Sequence, residues 1–177
     1  MTYTQHYDSP LGGILLAADE EGLTGLWFDG QKYFARTLPK EYAESETPVL
    51  CEAKRWLDIY FSGREPDFTP PLHPEGSAFQ QVVWVLLLEI PYGETTTYGT
   101  LARKLAEKQG LTHMSAQAVG GAVGHNDISL IIPCHRVVGA SGSLTGYAGG
   151  VDKKIKLLEL ERADMKSFFV PKAGTAL

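Results

Sequence analysis

In Ile131-Ile132-Pro133-Cys134-His135-Arg136-Val137-Val138 a short apolar run breaks off into Pro-Cys-His-Arg. The run reads as a buried strand with a thiol at its end and an imidazole beside it. Two readings of Cys134 compete at this point. Free cysteine is among the most buried residue types and is most often inert core, whereas a thiol at a strand end next to histidine is where chemistry is commonly placed. The following residues favour chemistry. Gly139–Gly150 is a twelve-residue loop with five glycines, longer than a turn requires, and loops of that length and makeup usually bind something.

The 177 residues suffice for one ordinary domain or two small ones, with 44% hydrophobic residues available for a core. No run of 18 or more apolar residues indicates a membrane span. The start, Met1-Thr-Tyr-Thr-Gln-His, lacks the basic and apolar regions of a signal peptide. The only cysteines, Cys51 and Cys134, lie far apart, so neither a disulfide framework nor a metal site is expected. A cytoplasmic setting, in which Cys134 stays a thiol, follows as an expectation. The net charge of −5 is unevenly divided. Residues 1–77 carry 6 Lys/Arg against 13 Asp/Glu, and residues 78–177 carry 10 against 8. Two units are implied, and only the second can approach a polyanion comfortably.

The first unit reads as sheet plus helix. Ile14–Ala18 and Leu23–Phe28 are apolar runs joined by Asp19-Glu20-Glu21-Gly22, a hairpin pattern. Thr47-Pro48 starts a helix, with Leu50, Ala53, Trp56, Leu57, Tyr60 and Phe61 on one face and Gly63 as the stop. Cys51 belongs to this helix, in packing or on its solvent side. Residues 64–76 hold four prolines and read as a linker that ends a scaffold domain over 1–76.

Beyond the linker the pattern is helical. Ser77 with Gln80 makes a capping box, and Phe79, Val82, Val83, Leu86, Leu87 and Ile90 form an apolar face. Thr97 caps a helix over Tyr98–Gln109, and Ser115 caps another over Ala116–Gly124. Helix, short connection, helix is the outline of a helix-turn-helix module. Ala116, Ala118, Gly120, Gly121, Ala122 and Gly124 leave the second helix almost without side chains, at roughly 1 kcal/mol per interior glycine. Two explanations stand: close packing on another helix, or close approach of backbone to a nucleic-acid groove. A last helix follows Asp152, read as its cap, with Ile155, Leu157, Leu158 and Arg162 marking the period. Glu161 falls near its buried face. It is either an exposed partner of a neighbouring base or the third member of a set with Cys134 and His135.

Pro133-Cys134-His135-Arg136-Val137, Gly142-Ser-Leu-Thr-Gly-Tyr147-Ala-Gly-Gly150, Ala118-Val-Gly-Gly-Ala122, Ile90-Pro-Tyr-Gly-Glu-Thr95 and Leu157-Leu-Glu-Leu-Glu161 together resemble the O6-alkylguanine-DNA alkyltransferases. The matches run from about Phe79 to Glu161, and Ser9-Pro10-Leu11-Gly12 and Gly22–Trp27 are similar to the family's N-terminal half. The resemblance implies an α+β protein: an N-terminal antiparallel sheet with a helix, then a helical C-terminal domain with a helix-turn-helix variant and the Cys loop. On that reading residues 77–165 form the DNA-binding methyltransferase domain and 166–177 a C-terminal tail. The protein would bind double-stranded DNA from the minor groove, rotate O6-alkylguanine out of the stack, and pass the alkyl group to Cys134. O4-alkylthymine is a second candidate substrate.

The resemblance also implies roles. His135 takes the thiol proton through a water and Glu161 orients the imidazole. Tyr98 stabilises the departing guanine, and Asn126 braces the site. Tyr147 and Ala148 wall the base pocket, while Gln117, Ala118, Gly120, Gly121 and Arg136 belong to the DNA-facing set. The product is a thioether, which water does not cleave, so each molecule acts once and no cofactor is called for. Two positions depart from the family. Gln117 stands where an arginine commonly fills the gap left by the rotated base. Asp127 stands where proline often follows the asparagine, which is expected to loosen a turn and place a carboxylate near DNA. A non-catalytic lesion-binding relative is the alternative, and such relatives replace the cysteine that this chain keeps. A cysteine hydrolase would need a turn at Cys134-His135 and would leave the helix pair unexplained. With no long apolar face unassigned, a monomer is expected.

Overall fold

The computed structural model describes residues 1–171. It forms two compact units, residues 1–75 with 127–131, and 76–126 with 132 onward. The excursion of Asp127–Ile131 into the first unit is not foreshadowed by the sequence, where those residues read as part of the second half.

In the first unit β1 (Tyr3–Ser9), β2 (Gly12–Ala18), β3 (Leu23–Phe28) and β4 (Ala43–Glu44) make one sheet in the order β3-β2-β1-β4. The hairpin β2–β3 is the expected one, closed by Asp19 N–H donating to Gly22 O at 3.0 Å. β1 carries too many polar residues to show in a hydropathy pattern. It forms because it pairs antiparallel with β2 along its whole length, Tyr3 opposite Ala18 through Ser9 opposite Gly12. The sheet is antiparallel except at its edge, where β4 runs parallel to β1. Helix α1 (Pro48–Phe61) begins at Thr47, whose hydroxyl accepts from Leu50 N–H, and buries Leu50, Ala53, Trp56, Leu57 and Tyr60. Cys51 is on its exposed side.

Asp127–Ile131 extends this unit through Ile128, which bridges to Leu26 of β3. Asp127 is 3% exposed. Its carboxylate accepts from Arg36 Nη2 at 2.6 Å and from the Trp27 indole N–H at 3.3 Å. The expectation of a carboxylate near DNA is therefore overturned. Asp127 is an internal acceptor, and its two partners take the place of the rigidity a proline would give.

In the second unit α2 (Ala78–Leu88) starts at the full capping box of Ser77 and Gln80 and buries Val83, Trp84, Leu86 and Leu87. β5 (Thr96–Thr97) leads directly into α3 (Tyr98–Lys108), capped by Thr97, and α4 (Ala116–Gly124) is capped by Ser115. These three helices pack on one another. Trp84, which periodicity did not single out, donates its indole N–H to Ala122 O of α4 at 2.9 Å. A large side chain at 122 or a bulkier helix would not admit that bond, so close packing explains one side of the small-residue helix. β6 (Val137–Val138) pairs parallel with β5, and α5 (Val151–Leu160) completes the unit.

Two sequence expectations are corrected here. Ile131-Ile132-Pro133 is not a strand: Leu130 sits at φ +70° and Ile131 N–H donates back to Ser129 O, so the run is folded into turns. Asp152 does not cap α5: the helix starts earlier, with Gly150 at φ +99° as its N-cap, so Asp152 lies within the first turn. Residues 166–171, the start of the expected C-terminal tail, are tied back to the second unit. Leu144 N–H donates to Phe169 O at 2.8 Å, and Phe168 packs against the cluster of Val138, Leu144 and Leu158. Residues 172–177 of the expected tail lie outside the described residues. No helix among the described residues is long and apolar enough to cross a membrane.

Replacing Asp127 by alanine strips the buried Trp27 indole N–H and the partly exposed Arg36 guanidinium of their acceptor. Arg36 is about one-third exposed, which screens its share, so a loss of about 2 kcal/mol is expected from urea unfolding. A parallel Arg36→Ala cycle should show coupling between the two positions.

Candidate active site

The site is built from backbone turns. Residues Cys134–Arg136 form one turn of 3-10 helix, supported by Cys134 N–H to Ile132 O at 2.8 Å and Arg136 N–H to Pro133 O at 3.0 Å. A strand would have sent Cys134 and His135 to opposite faces. The tight turn instead keeps both side chains inside the second unit, at 7% and 0% exposure. Asn126, at the point where the chain leaves this unit, donates from Nδ2 to Ile132 O at 2.8 Å, where the chain returns. The same side chain hydrogen-bonds Cys134.

Glu161, the residue at the C-terminal end of α5, is the hub of the cluster. Its Oε2 lies 2.5 Å from His135 Nε2, and its Oε1 accepts from Arg136 Nε at 2.8 Å and from Gly93 N–H at 3.1 Å. Burial alone would raise this carboxyl, but the hydrogen bonds and charge of His135 and Arg136 outweigh it and hold Glu161 far below the usual carboxylate range. Burial lowers the His135 imidazole, assisted by the charges of Arg136 and Lys154, and this outweighs the pull of Glu161. A neutral ring facing an ionised carboxylate through Nε2 must carry its proton on Nε2. Nδ1 is then the basic nitrogen.

Gly93 is required where it stands. It closes the turn in which Glu94 N–H donates to Pro91 O, its φ is +81°, and a Cβ there would meet Glu161 O at 3.0 Å. Arg136 is spent within the site: besides Glu161 it donates from Nη1 to Ile90 O at 2.7 Å and lies over the Tyr92 ring. The sequence reading puts Arg136 in the DNA-facing set; in the structure it is 8% exposed and its Nε and Nη1 are turned inward.

Tyr98 reaches the site through the short ladder that pairs Thr96 with Val137 and Thr97 with Val138. Its hydroxyl is buried and has no hydrogen-bond partner among the described residues. Burial and the neighbouring Cys134 both push this phenol up, so it stays a proton donor. Tyr147 is buried with its ring edge-on to His135, centroids 6.5 Å apart, and Ala148 is half-buried beside it. Burial raises the Cys134 thiol. The hydrogen bond from Asn126, the charge of Lys154 and the backbone N–H groups of Cys134 and His135 pull against that rise. Such a set can hold a thiol ready for ionisation, receive its proton on His135, and donate a hydrogen bond from Tyr98 to an atom gaining negative charge.

On α4 the nine residues divide into two faces. Val119, Gly120, Ala122 and Val123 are buried, whereas Gln117, Ala118 and Gly121 are exposed. Gly120 thus leaves the DNA-facing set proposed from sequence: it serves packing. A Cβ at Gly121 would meet nothing within 4 Å.

Two family models match the chain. That of the 6-O-methylguanine DNA methyltransferase ribonuclease-like domain covers residues 2–74, and that of the DNA binding domain covers residues 78–163. A methylated-DNA–protein-cysteine methyltransferase of Haemophilus influenzae is 42% identical over 161 residues, which is 90% of this chain and 86% of the relative. This chain belongs to that family. Its relative from Methanosarcina acetivorans is 46% identical over 90% of this chain and 97% of its own length. Among solved structures, Mycobacterium tuberculosis OGT in complex with DNA superposes with a TM-score of 0.78 at 42% identity, covering 91% of this chain and 94% of that one. The O6-methylguanine methyltransferase of the same organism gives 0.75 at 41%, covering 98% and 97%. The α+β architecture with its N-terminal sheet and helical second half is thus the family's fold.

Lys154 and Gly93 escaped the sequence reading. The signal for Lys154 was present: Lys154, Leu157, Leu158 and Glu161 follow the i, i+3, i+4, i+7 spacing of one helix face. A lysine in that row was passed over because lysines normally lie outside.

Glu161→Gln leaves His135 and Arg136 without a buried anion and should cost about 3 kcal/mol at pH 7. Glu161 titrates below its unfolded value of about 4.3, so its contribution is complete above that pH and is lost as pH falls toward the folded value. The gap between variant and native protein, followed by urea unfolding, should therefore narrow below about pH 4. His135 acts in the same sense: lowered on folding, it takes a proton more readily unfolded, so native stability already declines below about pH 6.5.

Proposed function

We propose that this protein repairs duplex DNA by moving the alkyl group of O6-alkylguanine irreversibly onto its own Cys134. The observation that carries the proposal is the buried Cys134 thiol, hydrogen-bonded to Asn126 and neighbouring Tyr98, directly followed in the same buried turn by the His135 that pairs with Glu161. The names of the relatives and the DNA complex of the M. tuberculosis neighbour support the choice of substrate.

The chemistry follows from the atoms. His135 Nδ1 accepts the thiol proton through a water, and Glu161 stabilises the imidazolium that results. The sulfur attacks the saturated alkyl carbon opposite the C–O bond. A C–S bond forms as the C–O6 bond breaks, and the electron pair leaves with guanine. Tyr98 donates a hydrogen bond to the base as it gains charge, and guanine takes up one proton in place of the alkyl group, balancing the one that the thiol gave to His135, so the exchange is redox-neutral. Asn126 fixes the position of the sulfur. Tyr147 and Ala148 border the space for the base. The thioether has no leaving group that water can displace, which makes the reaction stoichiometric and the protein self-inactivating. The retained cysteine separates this chain from non-catalytic lesion binders of the same fold.

For DNA, the exposed face of α4 is the element we assign, with Gln117 in its first turn as the residue that fills the gap left by the rotated base. Ala118 and Gly121 keep that face low, so helix backbone can approach a minor groove closely.

Incubation with a duplex containing O6-methylguanine should add one methyl mass to the peptide bearing Cys134 and none to that bearing Cys51. Repair should stop at one event per molecule. Methyl removal by Cys134→Ser, or sustained turnover, would refute the assignment.

Gly121→Leu is placed where a Cβ meets nothing within 4 Å on an exposed face and improves helix propensity by roughly 0.5–1 kcal/mol, yet it should weaken duplex binding while sparing the slow reaction with free O6-benzylguanine. Gln117→Arg should strengthen duplex repair by about 1 kcal/mol through added charge and stacking. Equal effects on duplex and free base, measured by rates and gel-shift titration, would remove α4 from the DNA-facing role.

A further inference from the structure

Lys154 is the most unusual side chain of the second unit. It is 0% exposed, and its ammonium donates to Val137 O at 2.5 Å and to Thr145 O at 2.8 Å. No carboxylate of the described residues forms an ion pair with it; the only buried carboxylate of the cluster, Glu161, is engaged by Arg136 and His135. Fully buried lysines are almost always paired. The ionisable groups of this cluster are Cys134, His135, Arg136, Glu161, Tyr98 and Lys154. Arg136 and Glu161 cancel, His135 is neutral, and Tyr98 remains a phenol. One positive charge is left over, and the group whose charge it feels is Cys134.

We propose that Lys154 is the built-in counterion of the Cys134 thiolate and a positioning residue for alkyl transfer. Its two hydrogen bonds fix where that charge sits. Val137 lies in β6, one residue beyond the turn that carries Cys134, and Thr145 lies two residues before Tyr147 in the loop that borders the base. α5 therefore delivers an anion for His135 from its last turn and a cation for Cys134 from its first. Proton transfer from Cys134 to His135 then creates two ions that each meet a partner already in place: imidazolium beside Glu161, thiolate beside Lys154. Burial lowers Lys154 to about 8 while Cys134 raises it, and Lys154 in turn pulls the thiol down. The dependence is mutual, as linkage requires. Once the sulfur is alkylated it can no longer hold negative charge, and Lys154 loses its partner.

The inference rests on the alkyl-transfer reading, but its test needs no DNA. In a Cys51→Ser background the thiolate absorbance near 240 nm reports Cys134 alone. Lys154→Gln keeps a donor for the two carbonyls and removes the charge. The absorbance midpoint should rise by about one pH unit or more, and the rate with O6-methylguanine duplex at pH 7 should fall about tenfold, recovering toward the native value at higher pH. An unchanged midpoint in folded Lys154→Gln protein would reduce Lys154 to a staple between two carbonyls and overturn the proposal. Should Lys154→Gln not fold, the reciprocal measurement decides: in 13C-lysine-labelled protein, Cys134→Ser should lower the Lys154 titration midpoint by a similar amount, and no change would overturn the proposal. If native protein fails to take a methyl group from duplex DNA, the functional reading falls instead, whatever the titrations show.

Discussion

The Glu161 carboxylate is the constraint from which the second unit takes its form. A buried anion must be fully hydrogen-bonded or it destabilises the fold by several kcal/mol. Here the three donors come from two places: His135 and Arg136 in the 3-10 turn, and Gly93 in the turn after α2. Meeting that demand fixes much else. His135 must turn Nε2 toward α5, which leaves Nδ1 as its base. Arg136 must point inward, and residue 93, at φ +81° with Glu161 O only 3.0 Å from where a Cβ would stand, favours glycine. The motif Pro-Cys-His-Arg is thus a structural unit as well as a chemical one, since only the cysteine is left to react.

Around that hub the active cysteine is held by backbone more than by side-chain packing. The two-residue ladder of β5 and β6 carries Tyr98 to the sulfur, and Asn126 closes the chain on itself across Ile132. Lys154 joins β6 to the Tyr147 loop, and the C-terminal segment clamps the start of that loop. A Cβ at Gly142, at φ +90°, would strike Ser167 O at 2.1 Å. Short, strongly hydrogen-bonded pieces of this kind suit a site that must present one atom accurately and need not reset after a single reaction.

The small-residue helix shows two selection pressures on nine residues. Trp84 and the neighbouring helices require small residues on its inner face, and exposure of Gln117, Ala118 and Gly121 keeps its outer face low. Neither demand alone accounts for the composition. The family's arginine is replaced by Gln117 on the outer face, where nothing in the fold depends on the change, whereas the family's proline is replaced by Asp127 inside, where Arg36 and Trp27 hold it.

What the sequence determined by itself was whatever local chemistry specifies. The caps at Thr47, Ser77, Thr97 and Ser115 each involve a side chain and the N–H three residues on, so four helix starts could be read directly. The hairpin β2–β3 was legible for the same reason, whereas the proline-rich stretch after Gly63, read as a linker, bonds to Leu23 of β3 through Pro71 and His73. The tertiary structure decided the fate of the charged and polar residues, because their partners are far away in the chain. Asp127 meets Arg36 across 91 residues, Arg136 meets Ile90 across 46, and His135 meets Glu161 across 26. β1, too polar to declare itself, needed β2 to become a strand. The side of α4 that Gly120 occupies, and the burial of Lys154, depend on which surfaces happen to close over them. A charge is satisfied only by a partner in space, and sequence spacing does not say who that partner will be.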